Sequence, residues 1–171
     1  MGIGNCLCLF IGSRNQKVMP QTTENSRMIK ATAETIYNAF TEPKALETWL
    51  APGKMKGKVH DFDFKVGGGY KISLFYPSSE KESKGKTKDN EDRFEVKFIE
   101  IIPNLKIVQA VNFDSSDPDY LGEMTMEVTF TPINGSTKVT FLFKNIPHGI
   151  KPEDNEAGTL SSLEKLAKYV E

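Results

Sequence analysis

Residues 124–143, MTMEVTFTPINGSTKVTFLF, decide the fold. Met124, Met126, Val128 and Phe130 alternate with Thr125, Glu127 and Thr129, the period-two pattern of a strand with one buried face. Asn134-Gly135 follows, a two-residue hairpin dipeptide whose members both tolerate positive φ. Val139, Phe141 and Phe143 then mark the returning strand. An apolar sheet face needs a cover, and the chain supplies one at once. After Pro152, the residues Leu160, Leu163, Leu166, Ala167 and Val170 form one stripe at helical spacing, which predicts an amphipathic helix long enough to cross a sheet.

The same periodicities extend towards the N-terminus. Ser26 to Ala31 reads as a first strand, and Thr32 sits where a helix N-cap should, ahead of Ala33, Ile36, Tyr37 and Phe40. Glu42-Pro43 ends that helix, and a second runs through Leu46, Trp49 and Leu50 to Ala51-Pro52-Gly53. Val59 to Phe64 alternates as a strand, Gly67-Gly68-Gly69 marks a sharp bend or bulge, and Tyr70, Ile72, Leu74 and Tyr76 share one strand face. Residues 77–92 hold five acidic and four basic side chains and read as a solvated loop. Phe94, Val96 and Phe98 resume the alternation, Pro103-Asn104 turns the chain, and Ile107 to Phe113 runs back. Helices segregated from about six antiparallel strands make the class α+β, a curved antiparallel sheet wrapped around a long C-terminal helix.

Composition narrows the function classes. The 171 residues carry 22 Lys and Arg against 23 Asp and Glu, so no net charge draws nucleic acid or an anionic membrane. No apolar run approaches the roughly 20 residues of a membrane-spanning helix. Residues 1–22 read unlike the rest and are expected to be a flexible leader, with residues 23–171 as a single domain. Cys6 and Cys8 both fall in that leader, leaving no disulfide partner downstream. The apolar stretch from Cys6 to Ile11 is too short for a signal peptide, and Cys6 stands where a myristoylation motif wants Ser or Thr. The expected location is cytoplasmic. In that context Asn134-Gly135-Ser136 is a turn and not a glycosylation site.

Thr41-Glu42-Pro43, Trp49-Leu50-Ala51-Pro52, the run from Phe62 through Gly67-Gly68-Gly69 to Tyr70, and Glu156-Ala157-Gly158 to Leu166 together resemble one family. It is the family of homologues of the activator of heat-shock protein 90 ATPase, within the START-like or SRPBCC superfamily. The resemblance covers roughly residues 26–171. It implies the helix-grip fold, also called birch-pollen-allergen-like, with a cavity between curved sheet and terminal helix. Where many relatives carry Trp after the Glu-x-Gly of the last helix, this chain has Thr159, which implies a roomier, more polar cavity there.

Catalytic chemistry finds little support in the residues. Glu80 to Thr87 imitates the end of a phosphate-binding loop but lacks its first glycine and its strand–helix setting. Alternation turns Asp61 and Asp63 away from His60, and His148 lies in an exposed loop. No Ser/His/Asp or Cys/His set assembles, and Asp114, Asp117 and Asp119 lack the glycine and final Glu of a calcium loop. Neither a catalytic set, a metal nor a cofactor is expected. Eleven Phe, five Tyr and six Met instead suit a lined cavity for a small hydrophobic or aromatic molecule. Its expected wall is Phe62, Tyr70, Ile72, Phe94, Val96, Met124, Met126, Val128, Phe141, Thr159 and Leu163, with Trp49 near the rim. Arg93, Asn112 and Glu123, with Tyr70, are its candidate polar groups. The resemblance leaves two alternatives: a chaperone-interaction protein, and a cyclase or hydrolase using the same cavity.

Overall fold

Thr32 and Pro43 set the two short helices. The Thr32 hydroxyl accepts the Thr35 amide at 3.1 Å and starts α1 (Ala33–Asn38), and Pro43, whose missing N–H costs nothing at a first turn, starts α2 (Pro43–Trp49). In the computed structural model, which describes residues 19–79, 85–87 and 89–171, these helices follow β1 (Gln21–Ile29). Six further strands come next: β2 (Lys56–His60), β3 (Gly69–Phe75), β4 (Glu91–Ile102), β5 (Lys106–Phe113), β6 (Met124–Ile133) and β7 (Ser136–Ile146). A single 3-10 turn at Pro118–Tyr120 precedes β6, and α3 (Pro152–Val170) closes the chain. All seven strands form one antiparallel sheet in the order β1-β7-β6-β5-β4-β3-β2. Strands β2 to β7 are a meander, so α1 and α2 must carry the chain from one sheet edge to the other. The architecture is the curved sheet and terminal helix of the helix-grip fold.

The β6–β7 turn forms as its dipeptide requires, with Asn134 at φ 49° and Gly135 at φ 80°. Three expected boundaries move. The first strand begins at Gln21, five residues before Ser26; of the expected leader, residues 1–18 lie outside the described residues and Gln21 and Thr22 belong to β1. The second strand ends at His60, short of Phe64, because Asp61 takes a left-handed φ of 49° that breaks extended pairing. The chain then folds back on itself, Asp63 donating its amide to Gly69 at 2.8 Å. There Gly69 lies so close to β4 that an added Cβ would fall 1.9 Å from the Val96 carbonyl oxygen, which explains the glycine run. The third change is in the loop over residues 77–92: β4 starts at Glu91, and Asp92 is buried.

On α3 the buried face is Thr159, Ser162, Leu163, Leu166 and Ala167, whereas Leu160 is 50% exposed. The stripe is therefore rotated from the one the apolar residues alone predict. Thr159 and Ser162 tolerate burial because their hydroxyls donate to the carbonyls of Asn155 and Leu50, each at 2.7 Å.

Phe40, Trp49, Phe130 and Phe141 pack as an aromatic cluster where α1 and α2 meet the sheet, with ring centroids 4.6 Å apart for Phe40 and Trp49. The indole N–H of Trp49 donates to the Ala39 carbonyl at 2.9 Å. Helix α3 packs chiefly on β1 and on α2, and less on β7. The concave face over β3 to β6 is left without a full helical cover.

Candidate cavity site

A cavity of about 580 Å³ lies under that uncovered part of the sheet. Its floor is apolar: Leu74 from β3, Val96 from β4, Val111 from β5, Met124 and Met126 from β6, and Phe141 and Phe143 from β7. The opposite side comes from the α2–β2 connection, Leu50 to Met55, and from Asn155, Gly158, Thr159 and Ser162 on α3. Tyr76, Pro77, Lys86, Gly149 and Ile150 from loops, and Tyr120 from the 3-10 turn, also border it.

Two hydrogen-bonded polar clusters interrupt this wall. Inside, the Tyr70 hydroxyl donates to the Gln109 side-chain oxygen at 3.3 Å, and both residues are buried, 3% and 1% exposed. Burial pushes the Tyr70 phenol far above its ordinary pKa, so it is a neutral donor at any physiological pH. Towards the loops, Asp92 accepts from the Lys86 amide and ammonium, each at 2.5 Å, and from the Tyr76 hydroxyl at 3.0 Å. Burial by itself would lower the Lys86 pKa, but the Asp92 charge and the hydrogen bonds with Asp92 and Tyr76 together raise it. Lys86 is charged in place. The Ser115 hydroxyl donates to the Lys86 carbonyl at 2.9 Å, which ties this strap to the β5–β6 connection.

Of the residues the sequence singled out, Tyr70, Phe94, Val96, Met124, Met126, Phe141 and Thr159 lie together in this wall. The Thr159 hydroxyl, however, is engaged by its own helix. The others lie elsewhere. Trp49, expected at the rim, is enclosed in the aromatic cluster. Ile72, Val128 and Leu163 are wholly buried without bordering the cavity. Phe62 stacks on Phe64 and packs beside Tyr70. Arg93, Asn112 and Glu123 are exposed: Arg93 pairs with Asp114 at 3.8 Å, and the Asn112 amide donates to Glu123 at 3.5 Å. Each of Arg93 and Asn112 alternates with inward neighbours, so strand geometry turns it to the outer face.

The polar groups missed are Asp92 and Gln109. Both have the inward parity, Asp92 with Phe94 and Val96, Gln109 with Ile107 and Val111. That parity was the available signal.

The remaining candidates form no reactive set. His60 Nε2 lies 3.4 Å from the Ser73 hydroxyl, on the face of β3 opposite Tyr70, with no carboxylate bonded to it among the described residues. His148 is exposed. Glu80 to Lys84 of the phosphate-loop imitation lie outside the described residues, and the Lys86 ammonium is taken by Asp92. Among the described residues no cluster of His, Cys, Asp and Glu could hold a metal ion, and no helix is long and apolar enough to cross a membrane.

Comparison with known proteins agrees with this architecture. Protein CV1439 from Chromobacterium violaceum is 29% identical, with a TM-score of 0.77 over 87% of this chain and 96% of that one. Mll3558 from Rhizobium loti is 24% identical with a TM-score of 0.69 over 88% and 97%, and Ms6760 from Mycobacterium smegmatis is 15% identical with a TM-score of 0.65 over 87% of each; these two show the fold alone. None of the curated proteins compared matches the chain. The family model described as activator of Hsp90 ATPase homolog 1-like protein matches residues 30–171. Most of the described chain is covered by that match, and the chain belongs to the family of activator of Hsp90 ATPase homolog 1-like proteins.

Proposed function

We propose that the protein binds a small, largely apolar or aromatic molecule between the sheet and α3. The observation that carries this is the cavity of about 580 Å³, a volume within the range of small-molecule sites, with an apolar floor in which the Tyr70–Gln109 pair is placed to orient a guest. Met55, Met124 and Met126 in its wall have flexible side chains that adapt to differently shaped guests. The test is thermal unfolding against a panel of neutral aromatic and alicyclic compounds. A binder at a hundred times its Kd stabilises the folded state by about 2.7 kcal/mol, which at this size raises Tm by roughly 5–10 °C. A panel in which no compound shifts Tm overturns the proposal.

The family's description supports a second role, contact with heat-shock protein 90. Saturable binding to that chaperone and stimulation of its ATPase, both insensitive to a ligand filling the cavity, would favour it over the carrier role.

A further inference from the structure

Gln109 is an amide side chain set in the middle of an apolar floor. Its strand partners are Phe98 and Met126, and it is 1% exposed. Its oxygen is engaged by the Tyr70 hydroxyl; among the described residues its nitrogen has no hydrogen-bond partner, and the side chain borders the cavity. An amide donor at the wall of a largely apolar cavity has few competing partners there, so a guest that accepts from it gains more than the same contact would give in water. We infer that the cavity selects neutral molecules carrying a hydrogen-bond acceptor, a carbonyl oxygen above all, which seats against the Gln109 amide while Tyr70 holds that amide in orientation.

Charge decides for a neutral acceptor over a carboxylate. Among the described residues the charged ones around the cavity are Lys54, Lys86, Asp92 and Asp154, two of each sign, and Lys86 is already paired with Asp92. The strand partners of Gln109, Phe98 and Met126, carry no charge, so a carboxylate brought there would lose its water without a counter-charge from them. A ketone, ester or amide oxygen loses far less. This deepens the carrier role proposed above and rests on it.

Benzophenone and diphenylmethane separate the two ideas, because they share size and rings and differ at the carbonyl. With the full chain in calorimetric titration, benzophenone is expected to bind about tenfold more tightly than diphenylmethane, the effect of one well-made buried hydrogen bond. Gln109→Met keeps the length and removes the donor; the preference should fall to about one, with diphenylmethane binding retained. In the wild type, independently of any variant, the carbonyl stretch of bound benzophenone should move to lower frequency. Equal binding of the two probes to the wild type overturns the selectivity and leaves cavity binding intact. A preference that survives Gln109→Met overturns the assignment to that residue, and failure of benzophenone to bind overturns the inference, while the carrier role is decided by the compound panel above.

Discussion

Asp92 has three donors around it and only 5% of its side chain exposed, and its partner Lys86 keeps 25%. A buried ion pair of this kind is costly to break from one side, because the remaining charge is left without compensation. Asp92→Asn preserves shape and removes the charge. It is expected to cost about 2–3 kcal/mol, below the ~3–5 of a fully enclosed pair because Lys86 retains some water. The pH dependence follows from the raised pKa of Lys86. A lysine whose folded pKa exceeds its unfolded value contributes stability that is fully present below the unfolded value, near 10.5, and is lost as pH rises through the folded one. The gap in Tm between wild type and Asp92→Asn should therefore hold from pH 7 to 9 and narrow above roughly pH 10.5. A gap that is constant to pH 12 would mean that Lys86 is not the partner that matters. The sequence placed Asp92 in a solvated loop and singled out no role for Gln109, although Asp92 shares its parity with Phe94 and Val96 and Gln109 with Ile107 and Val111. Polarity argued the other way, since an isolated charge or amide is ordinarily outside. What a one-dimensional pattern lacks is the partner: Lys86 and Tyr76 reach Asp92 from a loop, and Tyr70 reaches Gln109 from a strand two positions away in the sheet.

At the scale of elements, α3 is the most exacting case. Its 19 residues extend about 28 Å at 1.5 Å per residue, and its buried face starts at Thr159 and not at Leu160. Two substitutions separate those phases. Leu163→Asp places an unpaired carboxylate at a fully buried site and should abolish cooperative unfolding or leave the chain unfolded, as read by circular dichroism. Leu160→Asp, on the exposed side, should change stability by no more than about 0.5 kcal/mol, or roughly 2 °C in Tm. Equal damage from both would contradict the orientation of the helix. Strand and helix identities were legible because alternation and capping are local: Thr32, Pro43 and Asn134-Gly135 each act within four residues. The displaced ends had non-local causes. The β2 terminus depends on a left-handed Asp61, and the start of β4 depends on an aspartate that is tolerable inside only after the loop closes on it.

For the molecule as a whole, the central feature is a mismatch between cover and sheet. Helix α3 leans on β1 and α2, while the chain crossing from β1 to β2 fills the space beside Trp49 with aromatic rings. The region over β3 to β6 keeps its apolar floor and lacks close-packed neighbours, unlike an ordinary protein interior. Element order and the α+β class could be read from the chain. The size of the gap could not, because its volume depends on where α3 crosses the sheet; the aromatic and methionine content and the fold resemblance pointed only to its existence. The methionines provide the direct measurement. Met55, Met124 and Met126 border the cavity, whereas Met28 lies on the outer surface of β1 at 48% exposure. In a chain labelled at the methionine methyl groups, titration with benzophenone or diphenylmethane followed by NMR should shift the three cavity methyls along one saturating curve and leave Met28 in place. If Met28 moves with them, or the three cavity methyls do not respond while either compound binds, the guest is not held between the sheet and α3.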